Sequence, residues 1–167
     1  MKKFELTTNT KMFLGRKLFQ IKALISFGDV EAGELGGYIE KEENLSQAGD
    51  AWVAGNARVT GNAWVAGNAW VTDNAWVTDN ARVTDNARVT DNASYTTIKG
   101  FGREYRTTTF FRCKDGKVRV RCGCFYGDLE EFRAIVKKTH GESKKAKEYL
   151  MIADLMELHF EENENDK

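Results

Sequence analysis

The chain has 167 residues, enough for one domain or two small ones, and its 25 Lys and Arg balance its 25 Asp and Glu. That balance excludes the global basic field of a non-specific nucleic-acid binder and leaves only local patches. No apolar run reaches the length of a membrane span, and Met1–Glu5 lacks the apolar stretch of a signal peptide, so a cytoplasmic protein is expected.

Residues 1–38 are expected to form an N-terminal β-rich cap. The segment Lys17–Leu24 partly alternates, and Gly15 suits a turn before it. In Gly33-Glu-Leu-Gly-Gly-Tyr-Ile39 there is no phosphate-loop Lys-Ser/Thr and no G-x-G-x-x-G, so these glycines read as turns.

From Ala51 the chain reads AWVAGN, ARVTGN, AWVAGN, AWVTDN, AWVTDN, ARVTDN, ARVTDN, and then erodes. A period of six fits neither a 3.6-residue helix nor a heptad. In extended Ala-X-Val, Ala and Val share a face, and the following Gly-Asn or Asp-Asn is turn chemistry. Each hexad is therefore a short strand plus a corner, stable only when stacked on others. These residues resemble the left-handed hexapeptide-repeat β-helix, in which an aliphatic residue is followed four places later by a small one, as Val53 is by Ala57. The resemblance implies a short left-handed parallel β-helix over residues 39–94, a mainly β fold, and stacking of residues 18 apart. Ile39 and Leu45 are expected to start it, with a two-residue slip before Val53. Trp52, Trp70 and Arg88 would then share one outer face, Arg58 and Trp76 another, and Trp64 and Arg82 the third. Four outward tryptophans suggest an interface, with a dimer or trimer of the chain expected, because relatives of this helix are commonly trimers. Cross-rung stacking under cover from the flanking segments is the competing reading.

Residues 95–160 are expected to be an α+β domain, with fourteen Lys and Arg against nine Asp and Glu. Arg106–Cys113 and Lys117–Phe125 flank Asp115-Gly116, a two-residue hairpin signal that would pair Cys113 with Val118 and Phe111 with Val120. This puts the three cysteines on an apolar face, and Arg112, Arg119, Arg121 and Phe110 on the other. With Arg103, Arg106 and Thr108 they form the candidate site for an anionic ligand, a partner or nucleic acid, since arginine forks beside hydroxyls and an aromatic suit phosphate. Asp128 caps a helix ending at Gly141, and Ser143 caps a second one running through Phe160. Residues 161–167, with four acids and one base, read as a disordered tail.

No histidine lies in residues 39–94, and Cys122-Gly-Cys124 lacks zinc-finger spacing, so no catalytic residue, metal or cofactor is expected. The segments GELGGYIEKEENLS (33–46), the hexads (51–92) and RTTTFF…DG…CGCF (106–125) resemble a group of phage and prophage accessory proteins. The resemblance implies a viral protein in the host cytosol: a non-enzymatic oligomeric binder that inhibits host antiviral defence by occupying a host protein or sequestering a signalling nucleotide. An acyltransferase using acetyl-coenzyme A and a structural virion component are the alternatives.

Overall fold

The computed structural model describes residues 1–162, so most of the acidic tail expected at 161–167 lies outside the described residues. Strands β1 (Phe4–Phe13) and β2 (Arg16–Ala23) form an antiparallel hairpin turned at Leu14-Gly15, and β3 (Leu35–Ile39) pairs with β2. Seven two-residue strands follow, one per hexad: β4 (Trp52–Val53), β5 (Arg58–Val59), β6 (Trp64–Val65), β7 (Trp70–Val71), β8 (Trp76–Val77), β9 (Arg82–Val83) and β10 (Arg88–Val89).

These strands pair in parallel with the strand 18 residues away. Trp52 lies beside Trp70, Trp70 beside Arg88, Arg58 beside Trp76, and Trp64 beside Arg82. Ile39 pairs with Val59 and Leu45 bridges Val65, each 20 residues apart, which is the two-residue slip read from the sequence. All seven hexad valines are 0% exposed, and their alanines are equally buried. The pleat turns Ala and Val inward, and an interior column stabilises by roughly 1.5–3 kcal/mol per fully buried Val.

The fold class nevertheless differs from the mainly β, left-handed β-helix expected for residues 39–94. The molecule is a mixed assembly of several small sheets with two C-terminal helices, 37% strand and 19% helix, and no parallel β-helix is assigned. The physical reason is strand length. With two residues per strand, each ladder is short, and β5 and β8 extend the N-terminal hairpin sheet in the order β1-β2-β3-β5-β8, antiparallel at one end and parallel at the other. The N-terminal segment is thus part of the same sheet as the repeats. Its glycines also act otherwise than as turns alone. A Cβ on Gly36 would sit 2.5 Å from the Val53 carbonyl oxygen and 2.7 Å from the Trp52 ring, so glycine there lets β3 lie directly on the first hexad.

Beyond the repeats, β11 (Tyr95–Ile98), β12 (Thr108–Arg112), β13 (Val118–Cys122) and β14 (Phe125–Asp128) form a four-stranded antiparallel sheet. Helices α1 (Leu129–His140) and α2 (Lys144–His159) follow, capped by Asp128 and Ser143 as the sequence predicts. This sheet lies between two cores. Phe111 and Cys113 pack with the hexad valines, while Phe110 and Val120 pack with Phe132, Val136, Tyr149, Ile152 and Met156 of the helices. Docking to the repeats is also polar: Lys114 N donates to the Asn86 carbonyl at 3.0 Å, and Arg82 N to Thr109 Oγ1 at 3.1 Å. Among the described residues no helix is long and apolar enough to cross a membrane.

Candidate anion-binding cleft

The β12–β13 register corrects the expected basic face. Arg112 lies opposite Val118, Phe111 opposite Arg119, Phe110 opposite Val120 and Thr109 opposite Arg121. The loop is three residues, Lys114-Asp115-Gly116, with Gly116 at φ +78° and its N–H donating to the Cys113 carbonyl at 2.9 Å. A three-residue loop closed by a left-handed glycine shifts the pairing by one place from that of a two-residue turn. Because the period of a strand is two, that shift re-sorts the faces.

The expected ligand residues accordingly disperse. Phe110 and Thr108 are buried, and Thr108 Oγ1 donates to Cys122 Sγ at 3.2 Å. Arg112 donates to the Phe160 carbonyl at 2.6 Å and lies over that residue's ring. Arg119 pairs with Asp115 at 2.7 Å, and the Lys117 N–H together with this guanidinium holds the Asp115 carboxyl below the usual range. The cysteines separate as well: Cys113 is buried, its thiol pushed up to about 11 by burial, whereas Cys124 is exposed.

The outer tryptophans are also less open than expected. Trp52 is 0% exposed and edge-on to Phe27 at 5.4 Å. Trp76 is edge-on to Phe13 at 5.1 Å, and its indole N–H donates to Thr60 Oγ1 at 2.9 Å. Arg58 lies over the same Phe13 ring at 4.2 Å. Trp52 is thus covered by Phe27 of the segment after β2, and Arg58 and Trp76 by Phe13 of β1. Trp70 keeps Arg88 over its ring at 5.9 Å, and Trp64 keeps Arg82 at 4.8 Å.

What remains converges. Trp64 and Arg82 on the repeats, and Arg106 and Arg121 on the C-terminal sheet and its preceding loop, line one cleft of about 620 Å³ with Asn62, Asn80, Glu104 and Thr107. Two groups of residues that look separate in the sequence thus meet where the sheet docks on the repeats. Among the described residues, none of the three arginines lies within ion-pair distance of a carboxylate, while Arg16, Arg119 and Arg133 each do. Arg121 is steadied over Tyr126 at 5.6 Å. Gly123 leaves room for Arg106, whose guanidinium a Cβ at that position would strike.

Arg106 and Glu104 also border a second, more apolar pocket of about 480 Å³, lined by Phe125, Ile135, His140 and Tyr149, with Arg103 at its edge. There Tyr149 Oη donates to the Phe101 carbonyl at 3.2 Å, and burial pushes its phenol up to about 12. Sequence reasoning missed Asn62, Asn80 and Glu104, while Thr107 belongs to the Thr107-Thr108-Thr109 hydroxyls expected beside the arginines. The 18-residue spacing puts Asn62 beside Asn80, but nothing local shows that the C-terminal loop faces them. No family model matches the chain, and no curated protein matches it significantly.

Proposed function

We propose that the chain is a non-enzymatic binding protein that holds a nucleotide-class anion in the Trp64–Arg82–Arg106–Arg121 cleft. The observation that carries this reading is the convergence of three guanidiniums, none paired with a carboxylate among the described residues, beside the Trp64 indole. Guanidinium forks match phosphate oxygens in pairs, and an aromatic face accepts a base. The cleft volume falls within the range of small-molecule sites. A concave cluster suits a compact phosphorylated ligand better than a duplex backbone, which needs cations along a strip. Glu104 would discriminate, accepting hydrogen bonds from hydroxyls or exocyclic amines while repelling surplus phosphate.

The viral setting rests on the resemblance of residues 33–46, 51–92 and 106–125 to phage and prophage accessory proteins. In that setting, in host cytosol, retention of a signalling nucleotide would blunt an antiviral response. Calorimetric titration with mono-, di- and cyclic nucleotides, inorganic phosphate and acetyl-coenzyme A tests the reading. At least one nucleotide should bind more tightly than phosphate, and Arg106→Glu with Arg121→Glu should weaken it at least a hundredfold, about 3 kcal/mol. Equal binding by that variant, or no nucleotide binding at all, refutes it. Turnover of acetyl-coenzyme A would make the chain an enzyme and refute it differently.

A further inference from the structure

The cleft has a neighbour. Arg106 and Glu104 line both it and the apolar pocket of about 480 Å³, so the two cavities meet along these side chains. The turn between β13 and β14 lies on the same boundary: Gly123 lines the cleft, while Cys122 and Cys124 line the pocket. The missing side chain of Gly123 admits the Arg106 guanidinium at this boundary. A cation that pairs with no carboxylate among the described residues therefore sits at the junction of two hollows.

Each hollow offers an aromatic surface. The cleft has the Trp64 indole, with Arg82 over it at 4.8 Å. The pocket has the buried rings of Phe132 and Tyr149, edge-on at 5.6 Å, and the His140 ring stacked beside Tyr149 at 6.0 Å and 26°. Phe125 and Ile135 extend this apolar lining. The Tyr149 hydroxyl is already spent on the Phe101 carbonyl, so polar recognition in the pocket falls to His140 and the exposed Thr139 and Arg103. Aromatic walls with a few polar groups suit a heterocyclic base, whose faces stack and whose edges take hydrogen bonds. A hydrocarbon chain would leave those polar groups unmatched.

We infer that the ligand is a dinucleotide: one base lies against Trp64, the second enters the pocket beside Tyr149 and His140, and Arg106 holds phosphate between them. This rests on the nucleotide reading of the cleft and names the class of nucleotide. A mononucleotide would fill the cleft and leave the aromatic pocket to water. A second base takes that apolar surface out of water and adds affinity without added charge.

Calorimetry with two series of equal charge tests it: ribonucleoside 5′-diphosphates, with one base, and 5′-phosphorylated homodinucleotides, with two. For the base that binds best, the dinucleotide should bind roughly tenfold more tightly or better, as stacking of one further base allows. Ile135→Trp and Thr139→Trp each add bulk to the pocket from an exposed position on α1. Each should bring the dinucleotide to the affinity of the diphosphate, whose own binding should hardly change. Saturating dinucleotide, but not diphosphate, should also slow alkylation of the exposed Cys124 by iodoacetamide, since that thiol lines the pocket. A dinucleotide no tighter than the diphosphate, an advantage that survives both substitutions, or an unprotected Cys124 overturns the inference and leaves the nucleotide reading of the cleft standing. Failure of both series to bind overturns the two together.

Discussion

Lys3 is 2% exposed, and its ammonium donates to the carbonyls of Gly49 at 3.1 Å and Ala51 at 2.8 Å. Burial lowers its pKa to about 8, against the opposing pull of Asp50. The folded value lies below the ordinary 10.5, so between pH 8 and 10.5 the unfolded chain binds the extra proton. The contribution of this group to stability therefore rises with pH across that window. Chemical denaturation of the wild type and Lys3→Met should show the wild type gaining on the variant from pH 8 to 10.5. A constant difference would mean that the ammonium is solvated. Nothing in the local sequence flags Lys3, because its burial depends on a segment more than forty residues away.

At the scale of elements, the first six corners of the hexads, Gly55 to Asp85, share one backbone conformation whether glycine or aspartate occupies them. Gly67 has φ +67° and Asp79 has φ +60°. A left-handed conformation strains a residue bearing a Cβ, so Asp79→Gly should raise stability by up to about 1 kcal/mol. Gly67→Ala should lower it by more, since its Cβ would lie 2.7 Å from Asp85 N. Urea unfolding of both checks the pair, and a destabilised Asp79→Gly would show that its side chain matters more than its backbone. Strand pairing within the repeats was legible because a strict period fixes neighbours 18 apart. Fold class was not, because the period is silent about which flanking segments join the sheets, and β3 joins through glycines that allow contact at a distance no other residue permits. The β12–β13 register was misjudged by one place because Asp115-Gly116 fits both a two-residue and a three-residue loop.

At the scale of the whole molecule, adjacent Phe110 and Phe111 tie two cores together through opposite faces of one sheet. Half of the cleft was legible as an arginine-rich hairpin and half as Trp–Arg columns. Their union was not, because it arises from docking, with Cys113 bridging Ala87 and the following loop meeting Asn86. Residues that looked equivalent, such as Arg119 and Arg121, part company once Asp115 claims one of them.

Pairing at a fixed interval of 18 has a consequence for how such a chain can lengthen. Duplicating residues 51–68 keeps every later column in phase and adds one layer, moving the two ends apart by about 4.8 Å; Phe13 keeps Arg58 and meets the copy of Arg58 in place of Trp76. Duplicating only 51–56 instead turns all later columns one position around, so Phe13 no longer meets Trp76 or Arg58. The longer insertion should melt at or above the wild-type temperature and the shorter one well below it, as tryptophan fluorescence would report. A shorter insertion that melts as well as the longer one would show that the ends are indifferent to phase. Growth is thus quantised, and the repeats act as a spacer that can be extended only in whole steps.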